Sequence, residues 1–276
     1  MKKSLMILLL LAAAVGIAGC GKKEKSGEGD KEVLTVAMEL AYPPFETKDE
    51  EGNPSGVSVD FMEDFGEYIG KEIRIENTSF DGLIPSLQTG KADMVMSSIT
   101  ITEERKQTVD FSEPYANAML AVLTNKDAGI SSVEDLDQNG KKVAVKTGST
   151  GYLYAQEHLQ NAEIIALQDE SACVMEVSQG KADGFIYDQL TVYRNWQNNQ
   201  DTTDAVFLPF QDVEPWGIAV KKGNQELLDQ LNAFIETYRE DGGFDRLTEK
   251  YLSEEKKAFD ELNFLWFFDM EAEEKE

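Results

Sequence analysis

Histidine is almost absent from this chain, with one residue, His158, in 276. A multi-histidine metal centre is therefore excluded, and no metal is expected. Cysteine is scarce as well, limited to Cys20 and Cys173. That count by itself permits one oxidised pair, but Cys20 has another use in the N-terminal pattern. Basic residues are the third shortage. Lys and Arg number 26 against 52 Asp and Glu, a formal net charge of −26. Such a surface repels phosphate backbones and excludes nucleic acid as a partner, and the charge reads as a device for solubility. No HExxH, GxSxG, Walker-A or GxGxxG pattern occurs, so no sequence motif points to metalloprotease, serine-hydrolase or nucleotide chemistry and no cofactor is expected.

What remains is a chain of 41% hydrophobic residues, enough to build cores, with a length that fits two compact lobes. It begins MKKSLMILLLLAAAVGIAGC. Lys2 and Lys3 form a positive head, Met6 to Val15 an apolar run, and small residues follow, which is the order of an export signal. The run is short for a membrane span. Ile17-Ala18-Gly19-Cys20 resembles a bacterial lipobox, in which the cysteine becomes the first mature residue and its thiol takes a diacylglycerol. Acyl chains on Cys20 would give stable two-chain attachment to a membrane. The following GKKEKSGEGDKE lacks apolar residues and reads as a flexible tether. The reading is therefore a signal peptide over 1–19 and a lipidated tether over 20–32, with the protein on the extracytoplasmic face of a bacterial membrane.

From Val33 onward, short apolar runs alternate with amphipathic stretches. Strands are expected at Val33–Ala37, Ile73–Ile75 and Ala92–Met96, with helices at Val57–Ile69 and from Leu83. The theme recurs. Strands are expected at Lys142–Val145, Glu163–Leu167, Ala182–Tyr187 and Gly217–Val220. Helices are expected at Tyr152–His158, Ser171–Gln179, Gln225–Arg239 and Phe244–Leu252. Strands separated by helix-length segments predict parallel α/β layers. Leu87-Gln88-Thr89-Gly90-Lys91-Ala92-Asp93 and Val177-Ser178-Gln179-Gly180-Lys181-Ala182-Asp183 each read as a helix end, a glycine stop and a strand. Glycine suits a helix C-terminus because it accepts positive φ cheaply. Two such units imply two lobes of similar topology.

Candidate chemistry gathers where strands end. Ser97 to Arg105 leaves the strand Ala92–Met96 at its C-terminal end, the edge at which open α/β sheets bind ligands. Ser97, Ser98 and Thr100 offer donors, and Arg105 offers a planar fork that binds a carboxylate with two parallel hydrogen bonds. The same residues also read as a plain helix start, with Thr102 as N-cap and Arg105 at the surface. Asp188 follows the strand Phe185-Ile186-Tyr187, where it serves either an ammonium group or another helix cap. Arg105 and Asp188 together would read the two charges of a zwitterion.

Several stretches in this order and spacing carry a resemblance. They are Tyr42-Pro43-Pro44-Phe45-Glu46, Phe80-Asp81-Gly82-Leu83-Ile84-Pro85-Ser86-Leu87, Ser98 to Arg105, Val109-Asp110-Phe111-Ser112, Lys146-Thr147-Gly148-Ser149-Thr150-Gly151 and Gly217-Ile218-Ala219-Val220. From Val36 to about Leu252 the chain resembles the family 3 bacterial extracellular solute-binding proteins of the polar amino-acid type. The resemblance implies a two-lobed type II periplasmic-binding-protein-like α/β fold. Each lobe is a mainly parallel sheet flanked by helices, and two crossover strands join them. It places the first lobe at 33–116 plus 220–252 and the second at 117–219.

It also implies roles. Tyr42 and Phe80 become aromatic walls around the ligand, with core packing as the rival for Phe80. Ser98 and Thr100, with Ser97 beside them, join Arg105 at the carboxylate. Ser149 and Thr150 add donors from the second lobe, and Asp188 holds the α-ammonium. Tyr187 and Trp216 either line the rim or simply pack. Glu39 stands where relatives often carry Asp, one methylene shorter, and Lys146 where some glutamine-type relatives carry lysine. A cationic ligand suits Glu39 and an amide or acidic one suits Lys146, so the ligand is left as a polar amino acid. The expected mechanism is hinge closure by a monomer that delivers its ligand to the permease subunits of an ABC importer. The alternatives are a cyclohexadienyl dehydratase-like enzyme, with Glu39 the one candidate acid, and a ligand-sensing receptor subunit. After Leu252 the family pattern ends, yet residues 253–276 continue with an acidic, aromatic extension around Ala258–Met270. A tail helix packed on a lobe is expected there, and a docking peptide is the alternative. The lipobox reading makes one outcome plain: Cys20→Ser abolishes acyl labelling of the protein in its host, and continued labelling places the anchor elsewhere.

Overall fold

The computed structural model describes residues 32–270. The export signal, Cys20, the tether and residues 271–276 lie outside the described residues.

The first strand, β1 (Val33–Met38), is buried from Leu34 onward, the near-continuous apolar run of a strand covered on both faces. A tight loop closes next, with Tyr42 and Glu46 exchanging backbone hydrogen bonds of 2.8 and 2.9 Å. A small hairpin, β2 (Thr47–Lys48) and β3 (Pro54–Ser55), leads into helix α1 (Val57–Ile69). That helix turns Phe61, Met62 and Phe65 into the core and stops at Gly70, whose φ of 71° closes the last turn. Strand β4 (Glu72–Asn77) lies parallel to β1 on one side. Helix α2 (Leu83–Gln88) then delivers β5 (Met94–Val95), parallel to β1 on the other side. Helix α3 (Glu103–Lys106) and β6 (Val109–Phe111) complete this part.

The chain then crosses. Strand β7 (Ala116–Ala118) leads to β8 (Leu120–Asn125), the first strand of a second sheet. Strand β9 (Lys142–Lys146), helix α4 (Thr150–His158), β10 (Glu163–Leu167), helix α5 (Glu170–Ser178), β11 (Gly184–Asp188), helix α6 (Gln189–Asn198) and β12 (Thr203–Val206) follow. The sheet order is β10-β9-β11-β8-β12. Strand β13 (Glu214–Trp216) returns antiparallel against β7, and β14 (Ala219–Lys221) rejoins the first sheet, whose order is β4-β1-β5-β14-β6. In each sheet the βαβ strands pair in parallel, and the strands laid down next to a crossing pair antiparallel.

The expected strand Gly217–Val220 is broken in two. The ribbon strand ends at Trp216 and the sheet strand begins at Ala219, because the chain must leave the crossover ribbon before it can enter the sheet. Gly217 passes so close to Ile101 that a Cβ would sit 2.7 Å from its Cδ1.

Helices α7 (Gln225–Glu240) and α8 (Gly243–Tyr251) cover the first sheet, and α9 (Ser253–Leu262) continues beyond. The aromatic tail is largely interior: Phe259 and Phe267 are fully buried and Trp266 nearly so. It lies over the ribbon, where the Asn117 N–H donates to the Phe267 carbonyl at 2.7 Å and Gln189 Nε2 to that of Leu265 at 2.9 Å. No helix among the described residues is long and apolar enough to cross a membrane.

Candidate functional site

Four strand ends converge on a cleft between the two sheets. Glu39 follows β1, Ser97 and Ser98 follow β5, Lys146 ends β9 and Asp188 ends β11. The cleft is lined by Glu39, Tyr42, Phe80, Ser97, Ser98, Thr100, Arg105, Leu120, Ser149, Thr150, Tyr187, Asp188, Glu214 and Trp216. Ten of the eleven ligand-contact candidates therefore stand on one surface. The eleventh, Lys146, lies directly behind it, ion-paired with Glu39.

Glu39 is fixed from three sides. Its backbone N–H donates to Ser97 Oγ at 2.9 Å, and Oε1 accepts from the Phe80 N–H at 3.3 Å. Its Oε2 meets the Lys146 ammonium, which is 1% exposed and sits 5.1 Å from the Phe80 ring centre and 5.7 Å from that of Tyr187. Glu39 and Lys146 thus pair with each other, from opposite sheets.

The segment Ser97 to Arg105 does start a helix. Thr102 is the N-cap of α3, accepting from the Arg105 N–H at 3.2 Å. The Arg105 side chain, however, is 8% exposed rather than on the surface. Its guanidinium donates to the Thr100 carbonyl at 2.6 Å and across the cleft to the Gly148 carbonyl at 3.0 Å. No carboxylate pairs with it among the described residues, and burial lowers its pKa to about 10. Asp188 caps a helix with one oxygen and leaves the other toward the cleft. Oδ1 caps α6, accepting from the Leu190 and Thr191 N–H groups at 2.9 and 3.0 Å. Oδ2 makes no well-formed hydrogen bond among the described residues; its neighbour is the Tyr42 hydroxyl, which is close enough to favour the ionised carboxylate and has no other partner there. Burial raises the Asp188 pKa above the usual carboxylate range against the pull of these caps.

Ser149 caps α4, accepting from the Tyr152 N–H at 3.1 Å. Thr150 donates to Glu214 Oε2 at 2.8 Å, and Thr100 donates to the same oxygen at 3.2 Å from the other sheet. Glu214 is a cleft residue that the sequence reading did not single out. It rides on the ribbon strand β13, and its nearest sequence signal is the Trp216-Gly217 pair that follows. Phe80 is half-buried and faces the cleft, with the Arg105 Cζ 5.8 Å from its ring centre. Tyr187 and Trp216 line the cleft and also pack edge-on against Tyr42, with ring centres 6.2 Å apart in both cases. Direct bridges thus cross a cleft of about 440 Å³, the space open to solvent included.

Residues 34–254 match the bacterial extracellular solute-binding proteins, family 3. The chain belongs to this family. A probable histidine-binding protein of Neisseria gonorrhoeae is 33% identical over 253 residues, spanning 89% of this chain and 94% of that protein. The L-cystine-binding protein TcyJ of Escherichia coli (strain K12) is 29% identical over 252 residues, spanning 88% of this chain and 94% of that protein. The crystal structure of an ancestral amino acid-binding protein, AncCDT-1, described as a precursor of cyclohexadienyl dehydratase, superposes with a TM-score of 0.73 at 36% identity, covering 79% of this chain and 94% of that one. Two lobes, each with its own sheet, are thus the fold of a family whose named relatives are binding proteins. The match ends at residue 254, so most of α9 and the aromatic segment after it lie beyond it.

The capping of α6 by Asp188 can be read from stability. Asp188→Ala removes the α6 cap and lowers stability by about 0.5–2 kcal/mol. Asp188→Asn keeps an acceptor at Oδ1 and stays within about 0.5 kcal/mol of the parent, as read from urea unfolding. Equal losses in the two variants would contradict the assignment of Oδ1 to the cap.

Proposed function

We propose that this protein is the substrate-binding component of an ABC importer, and that it captures a polar amino acid between its lobes and hands it to the permease. The observation that carries this reading is a buried guanidinium and a buried carboxyl in one cleft, neither of them in an ion pair among the described residues. Arg105 is buried with only carbonyl partners, and Asp188 is buried with an orphan Oδ2. Leaving both uncompensated is costly, and a guest with one carboxylate and one ammonium satisfies both. Ser98 and Thr100 flank Arg105 on the first lobe, and Ser149 and Thr150 stand opposite on the second. A ligand that touches both lobes stabilises their closed arrangement by its differential affinity for it.

The far end of the cleft holds one carboxylate, Glu39, already matched to one ammonium, Lys146. A cationic guest side chain meets Lys146 repulsion there, and an anionic one meets Glu39. A neutral group that both donates and accepts, such as a carboxamide or an imidazole, suits the pair best. Glu39, the acid that the dehydratase alternative would use, is committed to Lys146 and to the Phe80 N–H. We place the protein outside the cytoplasm as a monomer, held to the membrane by lipid on Cys20, with its tether giving reach to the permease.

Titration calorimetry with glutamine, histidine, cystine, arginine and glutamate tests the proposal. At least one binds the parent protein. Arg105→Ala and Asp188→Asn each weaken that binding by more than tenfold, about 1.4 kcal/mol or more. Folded variants that keep the parental affinity would remove the zwitterion clamp.

A further inference from the structure

Beneath the carboxylate end of the cleft lies a buried acid that the clamp itself does not use. Glu46 has no exposed surface. Its Oε1 is taken by the Ser58 hydroxyl from α1. Ser98 Oγ stands 3.0 Å from Oε1 and 3.1 Å from Oε2, and Ser98 is the only hydrogen-bond partner of Oε2 among the described residues. Ser98 is also conformationally pinned. Its φ of 47° lies in the left-handed region, which a non-glycine residue occupies at a cost. Its backbone is therefore held in place, and the hydroxyl proton is the part free to turn.

We infer that Glu46 is a positioning residue that sets the direction of the Ser98 hydroxyl proton and so controls the affinity of the cleft for an anionic ligand group. The inference rests on the reading of the cleft as a site whose carboxylate end includes Ser98. When Glu46 is neutral, the proton on Oε2 is donated to Ser98 Oγ. The Ser98 O–H then turns to the cleft and donates to the ligand. When Glu46 is ionised, both of its oxygens accept, and the Ser98 proton is drawn back to Oε2. Lone pairs of Ser98 Oγ then face the ligand carboxylate, and a buried negative charge stands behind them. The released proton passes to solvent, and no bond other than O–H changes.

The surroundings set where this exchange occurs. Burial raises the Glu46 pKa to about 8, opposed by the Ser58 and Ser98 hydroxyls. The Glu39 carboxylate after β1 pushes in the same direction as burial, and Lys146 at the end of β9 pushes against it. The two phenols whose acidity Glu46 affects, Tyr115 ahead of β7 and Tyr187 in β11, are themselves held neutral by burial. Glu46 is thus mostly neutral at pH 7 and mostly ionised at pH 9. Affinity carried by the neutral form is full below pH 7 and is lost as pH rises through about 8.

Calorimetric titration of the full chain with L-glutamine and with L-histidine, from pH 6 to pH 9, tests this in the parent, Glu46→Gln and Ser98→Ala. The glutamine carboxamide donates to Ser98 as neutral Glu46 does, but it does not ionise. The affinity of the parent relative to Glu46→Gln falls about tenfold between pH 7 and pH 9, and this ratio cancels the titration of the ligand's own amino group, which is common to both. Ser98→Ala binds more weakly at pH 7 and loses most of the pH dependence, because the reporter hydroxyl is gone. Parallel pH profiles for parent and Glu46→Gln, with binding intact, would overturn the inference and leave the clamp standing. Absence of binding by the parent at every pH, to these two and to cystine, arginine and glutamate alike, would overturn the clamp and the inference together.

Discussion

The ammonium of Lys146 is 1% exposed, and the carboxylate that meets it comes from the opposite sheet. A lone buried ammonium costs several kcal/mol, so the second lobe tolerates Lys146 in this position only while the first lobe supplies Glu39 or water replaces it. The other bridges across the cleft have the same character. Arg105 donates to the Gly148 carbonyl, and Thr100 and Thr150 converge on Glu214. All of these polar contacts are of a kind that water or a ligand can replace when the lobes separate. Most apolar packing stays within one lobe: the two clusters packed on the second sheet draw only on residues 120–210, and one of those on the first sheet only on residues 37–111 and 219, while the largest cluster also takes in Leu190, Tyr187 and Tyr193 from the second lobe. Each lobe is internally cohesive, and the cleft between them is exchangeable, which is the division of labour that hinge closure requires.

The crossover ribbon and the C-terminal segment complete that division. Two three-residue strands carry both chain crossings. Trp216 on one of them lines the cleft on one side and packs against Phe267 at 5.3 Å on the other. Phe267 also meets Phe45, close in sequence to the cleft-lining Tyr42, at 5.1 Å. The tail thus backs the floor of the cleft through a continuous stack of rings, and its aromatic residues are explained by burial without any external partner.

Much of the fold is readable from residue pattern. The α1 boundaries follow the spacing of Val57, Phe61, Met62 and Phe65, and the paired glycine stops Gly90 and Gly180 both adopt the positive φ, 72° and 68°, that their positions call for. The cleft residues were readable mainly because they sit at strand ends in stretches shared with relatives. Glu46, Glu170 and Glu214 were not readable as buried acids, since a glutamate in a chain with 52 acidic residues reads first as surface. Only the fold reveals that the first two rise to a pKa of about 8 by burial. The break at Gly217-Ile218 was hidden for a similar reason: local β-propensity persists across a point where the chain changes partners.

The most direct measurement of the central claim is a thermal-shift screen of the protein against the standard amino acids after unfolding, dialysis and refolding to strip any bound ligand. A ligand held only by the folded protein at about a hundred times its Kd adds about 2.7 kcal/mol, a rise of roughly 5–10 °C for a chain of this size. The account predicts such a rise with one or a few polar amino acids and, at the same ligand concentration, a rise no more than about half as large in Arg105→Ala. A flat response to every amino acid at millimolar concentration in the stripped, refolded parent would contradict it.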